Sequence, residues 1–122
     1  KIRSFFAPNH TYDVNTFKAL KEFGIDNIID GYGLFPYTEK ELNFIPQLFY
    51  KEIMLPFGIQ ATQIHLNYWK EKDFNKFEEF INKNHNKIIS FENALERINN
   101  GFFSKFINFF IKNLLKLLRL LK

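Results

Sequence analysis

Short apolar segments alternate with amphipathic helical patterns along most of this 122-residue chain. Extended segments are predicted at residues 3–7, 27–30, 59–65 and 87–90, and a helix follows the first, third and fourth of them. Such a succession is typical of parallel α/β architecture, in which each helix crosses back over the sheet. The sequence therefore predicts an α/β fold with four strands in one sheet, whose outer edges need partners.

Capping residues and glycines mark the predicted helix boundaries. Asp13 and Ser90 are placed to cap the helices that follow them, and Asp73 is the predicted cap of the helix between them. Gly24 supplies the stop of the first helix. Residues 34–57 contain three prolines and are predicted to be a long irregular loop, a kind of segment that is usually functional in compact domains.

Chain length and cysteine content exclude several classes of protein. A chain of 122 residues can bury a core but cannot form a complete (β/α)₈ barrel, which takes about 250 residues. It starts at Lys1 and its sole methionine is Met54, so we expect a fragment or a processed piece. The absence of cysteine excludes disulfide scaffolds, thiolate metal sites and cysteine nucleophiles.

The net charge of +4 is concentrated at one end of the chain. Residues 101–122 carry five basic residues and no acidic one, whereas residues 1–100 carry 12 basic and 13 acidic residues. A nearly neutral body argues against binding to nucleic acid, which requires a basic face. Residues 1–13 lack the apolar run of a secretory signal, and no stretch reaches the ~18 apolar residues of a membrane span. We therefore expect a cytoplasmic protein.

Polar clusters follow three of the predicted strands. They are Asn9 with His10 after the first strand, Asp30 with Tyr32 after the second, and His65 with Asn67 after the third. In parallel α/β folds, catalytic and ligand-binding groups gather where the carboxyl ends of the strands meet. The sequence therefore predicts a functional site that these clusters share.

A series of short motifs runs through about residues 3–95. The motifs are FFAPNHTYD at 5–13, ALKEFG at 19–24, IDG at 29–31, FPY at 35–37, IPQ at 45–47, LPFG at 55–58 and HLN at 65–67. Their order resembles the C-terminal half of the NodB-homology polysaccharide deacetylases, in a subgroup tied to bacterial surface-glycan synthesis. The resemblance implies the C-terminal part of an incomplete (β/α)₇ barrel of the glycoside hydrolase/deacetylase type. It also implies a metal-dependent enzyme that hydrolyses the N-acetyl groups of an amino-sugar glycan.

The resemblance also implies where the metal is held. In that family a divalent metal, zinc or a similar ion, is bound by an Asp and two His of a Thr-Phe-Asp-Asp type run and a His-x-x-x-His type run. Neither motif occurs in this sequence, so the metal ligands and the base are expected outside the chain, which would be inactive alone. A metal triad of His10, Asp13 and His65 would match no standard spacing.

Residue roles follow from the same resemblance. His65 corresponds to the histidine that protonates the departing amine, a role that suits an imidazole. The candidate substrate-binding residues are Pro8, Asn9, His10, Asp30, Tyr32, Asn67 and Trp69. The arginine and tryptophan that the family places near the third and fourth motifs have no counterpart here. The alternatives are structural: turn or strand-end roles for His10, Asp30 and His65, and core packing for most aromatic residues.

Residues 101–122 form a second unit, predicted to be a basic amphipathic helix, beside the barrel-like part at residues 1–100. On a helical wheel, one narrow sector holds Lys105, Asn108, Lys112, Lys116 and Arg119. Apolar residues cover the remainder, an arc far wider than the roughly 100° of an ordinary surface helix. Two interpretations remain: peripheral contact with an anionic membrane at its inner face, or packing against the barrel or a partner subunit.

Three functions are consistent with these observations. The first is a fragment of a carbohydrate N-deacetylase that lacks the metal-binding motifs. The second is a non-catalytic sugar-binding or membrane-associated module. The third is a degenerate remnant without activity.

Overall fold

The computed structural model describes residues 2–120, apart from the side chain of Arg119. Within that range the chain is mixed α/β, as predicted, with a three-stranded sheet and four α-helices. The helices are α1 (Val14–Glu22), α2 (Glu71–Asn84), α3 (Phe91–Glu96) and α4 (Phe102–Leu120). The strands are β1 (Asn27–Ile29), β2 (Tyr37–Glu39) and β3 (Leu42–Ile45). Lys1, at the start of the chain, and Leu121 and Lys122, which the prediction includes in the tail helix, lie outside the described residues.

The central strand of the sheet is β3. Strand β1 pairs with it in parallel, with Ile29 opposite Ile45, and β2 pairs with its other edge in antiparallel orientation. Lys40 and Glu41 form the tight turn between β2 and β3, and both have positive φ angles, 51° and 63°. The prediction of an irregular loop over residues 34–57 is therefore wrong for residues 37–45, whereas residues 46–57 form no helix or strand. Both strands are very short, and Lys-Glu is not the Asn-Gly pair that usually signals such a turn.

Two further extended segments adjoin the parallel part of the sheet. Phe5 bridges Ile28 of β1 in parallel, and Thr62 bridges Phe49, just beyond β3, in the same way. The extended segments around residues 5, 28, 45 and 62 are therefore neighbours in chain order and run in one direction. Because they are parallel, their carboxyl ends lie at the same edge.

Three of the four predicted strands differ from the structure. Strand 27–30 is present as β1, but the segments at 3–7 and 59–65 each contribute a single bridge instead of a strand. The prediction of a strand at 87–90 is wrong, because His85–Lys87 forms a 3₁₀ turn. The N–H of Ile88 donates a hydrogen bond to the carbonyl oxygen of His85 at 3.3 Å. This backbone donor is therefore used within the turn and does not pair with a neighbouring strand.

Helix caps follow the sequence signals closely. Oδ1 of Asp13 accepts the N–H of Thr16 at 2.9 Å, and Oγ1 of Thr16 accepts the N–H of Asp13 in return, which completes a capping box. Ser90 caps α3, as predicted. Asp73 is not the cap of α2, because the helix begins two residues earlier; its carboxylate instead accepts the N–H of Lys70 at 2.9 Å.

The Asp13 cap gives a pH-dependent prediction. Hydrogen bonds from Thr16, first from its backbone and then from its side chain, hold the pKa of the Asp13 carboxyl below its ordinary value. A lowered folded-state pKa means that the stabilisation is complete above about pH 4 and is lost as the pH falls through that pKa. We expect Asp13→Ala to lower the thermal unfolding midpoint at neutral pH, and this difference from the wild type to shrink in acid, as measured by circular dichroism.

Asp13→Asn is the matched control, because an amide oxygen caps a helix without carrying charge. Its thermal unfolding midpoint at neutral pH should be close to that of the wild type. The contribution of the cap to this midpoint should no longer depend on pH. A deficit of Asp13→Ala that stayed constant from neutral to acid pH would show that the charge of the cap contributes nothing.

The core lies between α1 and the sheet. Its buried centre is Leu20, Ile28, Leu42 and Phe44. Aromatic rings surround Phe44: Tyr37 stacks on it with centroids 5.1 Å apart, and Phe17 meets it edge to face at 6.1 Å. This packing fixes β3, and with it the carboxyl ends of the parallel segments.

The predicted tail helix is present as α4, and the stripe that it turns to the rest of the chain combines polar side chains with the half-buried Ile107, Ile111 and Leu115. Ser104 and Asn108 are buried, and Oδ1 of Asn108 accepts the N–H of Leu34 at 3.1 Å. Its exposed large apolar side chains are Phe102, Phe103, Phe106, Phe109, Phe110, Leu114, Leu117, Leu118 and Leu120. Within residues 2–120, no helix combines the length and the hydropathy needed to cross a membrane.

Candidate functional site

Polar side chains meet where the parallel segments end. The N–H of Gln47, just after β3, donates to the carbonyl of Gly31 at 3.2 Å, and its Nε2 donates to Oε1 of Gln63 at 3.4 Å. His10 and Asp30 lie at the ends of the first two segments and bond to each other. We call the set of His10, Asp30, Gln47 and Gln63 the polar edge.

The best-defined contact of the polar edge joins His10 to Asp30. Nδ1 of His10 lies 2.9 Å from Oδ1 of Asp30, whose side chain is only 3% exposed, against 17% for that of His10. The imidazole also contacts Phe6 and Tyr50 edge to face, with centroids 5.5 and 5.4 Å apart. With Nδ1 directed at the carboxylate and two rings against its sides, the orientation of the imidazole is fixed and Nε2 points away from Asp30.

A strained turn presents His10 to Asp30. Pro8–His10 form a 3₁₀ turn, closed by the N–H of His10 on the carbonyl of Ala7 at 3.0 Å. Asn9 and His10 both lie in the left-handed region, with φ of 54° and 55°. Residues other than glycine pay about 1–3 kcal/mol for sparsely populated conformations of this kind, and such strain clusters at functional sites. Asn and His are among the residues that enter this region most readily.

Asp30 has one oxygen engaged and one without a partner. Its Oδ1 accepts the N–H of Gly31 at 2.6 Å in addition to His10, while Oδ2 is buried and has no hydrogen-bond partner among the described residues. A buried oxygen without a donor costs about 1–3 kcal/mol. Gly31 has a φ of 106°, and a Cβ there would lie 2.5 Å from the hydroxyl of Tyr37, so the backbone beside Asp30 requires glycine.

A cavity of about 360 Å³ has His10 in its wall, whereas the buried Asp30 lies behind that wall. Its lining includes His10, Tyr12, Tyr32, Tyr37, Glu39 and Lys112. Burial raises the pKa of both Tyr12 and Tyr37 well above the ordinary value, and the charge of Asp30 acts in the same direction. Both phenols therefore stay protonated at physiological pH and can donate hydrogen bonds. The cavity offers hydrogen-bonding groups and aromatic surface together, a combination that suits a polyhydroxylated ligand.

The structure places the other sequence-predicted residues as follows. Pro8 and Asn9 are exposed in the turn before His10, and Tyr32 is half-buried in the lining of the cavity. His65 and Asn67 are exposed around the 3₁₀ turn Leu66–Tyr68, which follows the segment of Thr62. Within residues 2–120, no hydrogen bond or ring contact joins them to His10 or Asp30.

Trp69 has a packing role in the structure. Its ring meets Phe74 and Phe77 of α2 edge to face, with centroids 5.1 and 5.4 Å apart. The side chain is half-buried, so part of its surface is still exposed. This arrangement matches the structural alternative for the aromatic residues.

Sequence reasoning missed Gln47, Gln63 and Tyr12. Gln47 is 5% exposed and follows Pro46 directly after β3, a strand hidden inside the predicted loop. Recognition of that strand would have pointed to Gln47, because the first polar residue after a parallel strand is a natural candidate. Tyr12 gives no such signal, since an aromatic residue before a helix is ordinary in any core.

The described residues do not form a metal site on their own. No group of three or more His, Cys, Asp or Glu side chains within residues 2–120 could hold an ion. Oδ1 of Asp13 is engaged in the cap of α1, and Nδ1 of His10 is bonded to Asp30. These side chains therefore do not fit a resident divalent cation.

Comparison of the chain with protein-family models, with curated proteins and with solved structures finds no match. A proposal of function therefore rests on the order of the sequence motifs and on the geometry of the polar edge.

Proposed function

We propose that this chain is the substrate-binding part of a carbohydrate N-deacetylase that acts on the amino sugars of a bacterial surface glycan. The observation that carries the proposal is the His10–Asp30 pair, which lies beside a cavity at the carboxyl ends of parallel segments. Side chains at this edge bind substrate in parallel α/β enzymes. The chain-ordered parallel segments also support the C-terminal part of an incomplete (β/α)₇ barrel.

The chemistry of the cavity fits an amino sugar. Asp30 lies behind the wall of the cavity and orients the imidazole of His10, whose Nε2 bonds a sugar hydroxyl or the acetamido group. The protonated phenols of Tyr12 and Tyr37 donate to sugar oxygens. Tyr32, which is half-buried in the lining of the cavity, offers aromatic surface to the apolar side of the ring.

His65 is the proposed general acid. During hydrolysis, the oxygen of a water molecule bonds to the acetyl carbon and the C–N bond breaks, so acetate and a free amine form. The amine nitrogen needs a proton as it departs, and an imidazole that titrates near neutral pH supplies one. His65 is exposed after the segment that bridges Phe49, so its side chain is open to a ligand at this edge. The metal and the base belong, by the resemblance, to motifs that the sequence lacks.

We expect the chain to bind an N-acetylglucosamine oligomer without releasing acetate. Titration followed by ¹H–¹⁵N correlation spectra should show saturable shifts around His10 and Asp30. His10→Gln should weaken binding about tenfold, because it removes the hydrogen bond between the imidazole and the sugar ring. His85→Gln is the matched control, since His85 is an exposed histidine that bonds the carbonyl of Asn82, and it should leave affinity unchanged.

Two outcomes would contradict the proposal. The first is the absence of saturable binding at millimolar sugar. The second is acetate release above background when zinc is added to the isolated chain, because a metal site would then exist within it.

A further inference from the structure

Helix α4 meets the rest of the chain along one stripe, in which Ser104 and Asn108 are the most buried side chains. Ser104 and Asn108 are only 3% and 9% exposed, and Asn108 binds the backbone of Leu34. The amide of Asn108 also lies so close to Gly33 that a Cβ there would be 2.6 Å from its Oδ1. An ordinary surface helix turns its apolar stripe inward. In α4 only a narrow stripe faces inward, and most of the wide apolar arc stays outside; the stripe consists of Ser104, Ile107, Asn108, Ile111 and Leu115.

The outward face of α4 is almost entirely aromatic and aliphatic. Phe102 is 87% exposed, Phe109 67% and Leu120 76%, so apolar exposure extends over the whole helix. Soluble monomers rarely expose contiguous apolar patches larger than a few hundred Å², and larger ones mark interaction sites. This face is therefore a binding surface for an apolar partner.

The charges of α4 indicate which partner. Lys105, Lys112 and Lys116 are spaced by seven and four residues, so they form one row along the helix. At about 100° per residue, this row borders the outward face instead of interrupting it. The segment 101–122 has no acidic residue. A second copy of the chain would bring the same lysines to the contact, whereas an anionic bilayer neutralises them.

We propose that α4 is an interfacial membrane helix, which lies flat on an anionic bilayer with its phenylalanines and leucines among the acyl chains. Its 19 residues span about 28 Å along the surface at 1.5 Å per residue. The lysine row reaches the phosphate groups while the aliphatic stems stay in contact with lipid. Lys112 also lines the cavity beside His10, so the tests below use Lys105 and Lys116, which do not line that cavity.

Flotation of the full chain with lipid vesicles tests the proposal. We expect the chain to float with vesicles of equal parts phosphatidylglycerol and phosphatidylcholine, and to stay in the bottom fraction with phosphatidylcholine alone. Raising the salt concentration should weaken the binding, because the lysine–phosphate attraction is screened. Removal of the whole helix is a poorer test, since it would also remove the contacts of Ser104 and Asn108.

Point variants separate charge from apolar contact. Lys105→Gln and Lys116→Gln should each lower the partition coefficient about fivefold, because a cation near anionic lipid contributes about 1 kcal/mol. Lys72→Gln, an exposed lysine of α2, is the matched control and should have no such effect. Phe106→Ser should lower partitioning about tenfold or more, whereas Phe23→Ser, at a phenylalanine that is 80% exposed on the body, should not.

Each contrary outcome points elsewhere. Equal flotation with both lipid compositions, unaffected by salt or by the lysine variants, would overturn the proposal. Absence of flotation together with a concentration-dependent dimer that Phe106→Ser abolishes would assign the face to a second copy. Sugar titrations on the same samples report on the His10–Asp30 site, so failure of one proposal is distinguishable from failure of the other.

Discussion

In the complete deacetylase that we propose, replacing His65 with alanine should lower kcat by about 10²–10⁴, the usual cost of losing a general acid. The complete enzyme means this chain together with the metal-binding motifs that the resemblance places outside it. His65 is exposed and its side chain makes no capping hydrogen bond, so the substitution should leave the fold intact. Acetate release measures the rate, and elemental analysis of the same sample measures the bound metal.

His85→Ala is the matched control for this experiment, because it removes an exposed histidine at the end of α2. Its kcat should equal that of the wild type. Loss of metal from His65→Ala would make His65 a ligand, and unfolding would make it structural. An unchanged kcat would remove the proton donor from the proposed reaction and favour the alternative of a non-catalytic sugar-binding module.

Truncation of Phe44 to alanine should destabilise the fold by about 3–5 kcal/mol. Phe44 is 2% exposed at the centre of the sheet, and its ring contacts Tyr12, Phe17 and Tyr37. The substitution would remove the stacking partner of Tyr37 and leave a cavity that the short strands cannot close. Since small domains are stable by only about 5–15 kcal/mol, a large share of the molecules could unfold.

Urea denaturation measures this effect, with Phe57→Ala as the matched control. Phe57 is 60% exposed, so its truncation should change the free energy of unfolding by no more than about 0.5 kcal/mol. Equal, small losses for both variants would show that the cluster around Phe44 is not the core. A much lower denaturant slope for Phe44→Ala would indicate that the folded state itself has become loose.

Helices were more predictable from this sequence than the sheet, because helix signals are local. Asp13 and Ser90 lie directly before helices and use their own side chains as caps, so the sequence within one turn determines the boundary. Asp73 shows the limit of that reasoning. At the third position of the helix, its carboxylate accepts a backbone N–H from the start of α2, as a capping residue also would. The sequence alone does not distinguish a residue at the cap from one at the third helical position.

Strands depend on neighbours that are distant in the sequence. Residues 87–90 resemble a strand because of Ile88 and Ile89, yet the structure gives this segment the end of a turn and a helix cap. The reverse holds for β2 and β3, which are stabilised by each other and by β1 despite a turn of Lys40 and Glu41. Their existence follows from the sheet and not from local propensity.

The polar edge was predictable only in part for a related reason. Asn9, His10 and Asp30 follow segments that the sequence marks, and the structure brings His10 and Asp30 together. Gln47 follows a strand that the sequence conceals. The partnerless Oδ2 of Asp30 and the strain at His10 are properties of the packed structure, and no residue pattern encodes them directly.

The chain-ordered arrangement of the parallel segments has a consequence for folding kinetics. Each segment pairs with the one made just before it, as Phe5 does with Ile28, so these contacts close short loops and form rapidly. The sheet can therefore assemble on the ribosome one segment at a time. Contacts that span most of the chain come last: the Asn108–Leu34 bond joins residues 74 positions apart. Attachment of α4 through Asn108 would thus follow assembly of the sheet, and the apolar face of the helix would take its place on the surface only once the strands had formed.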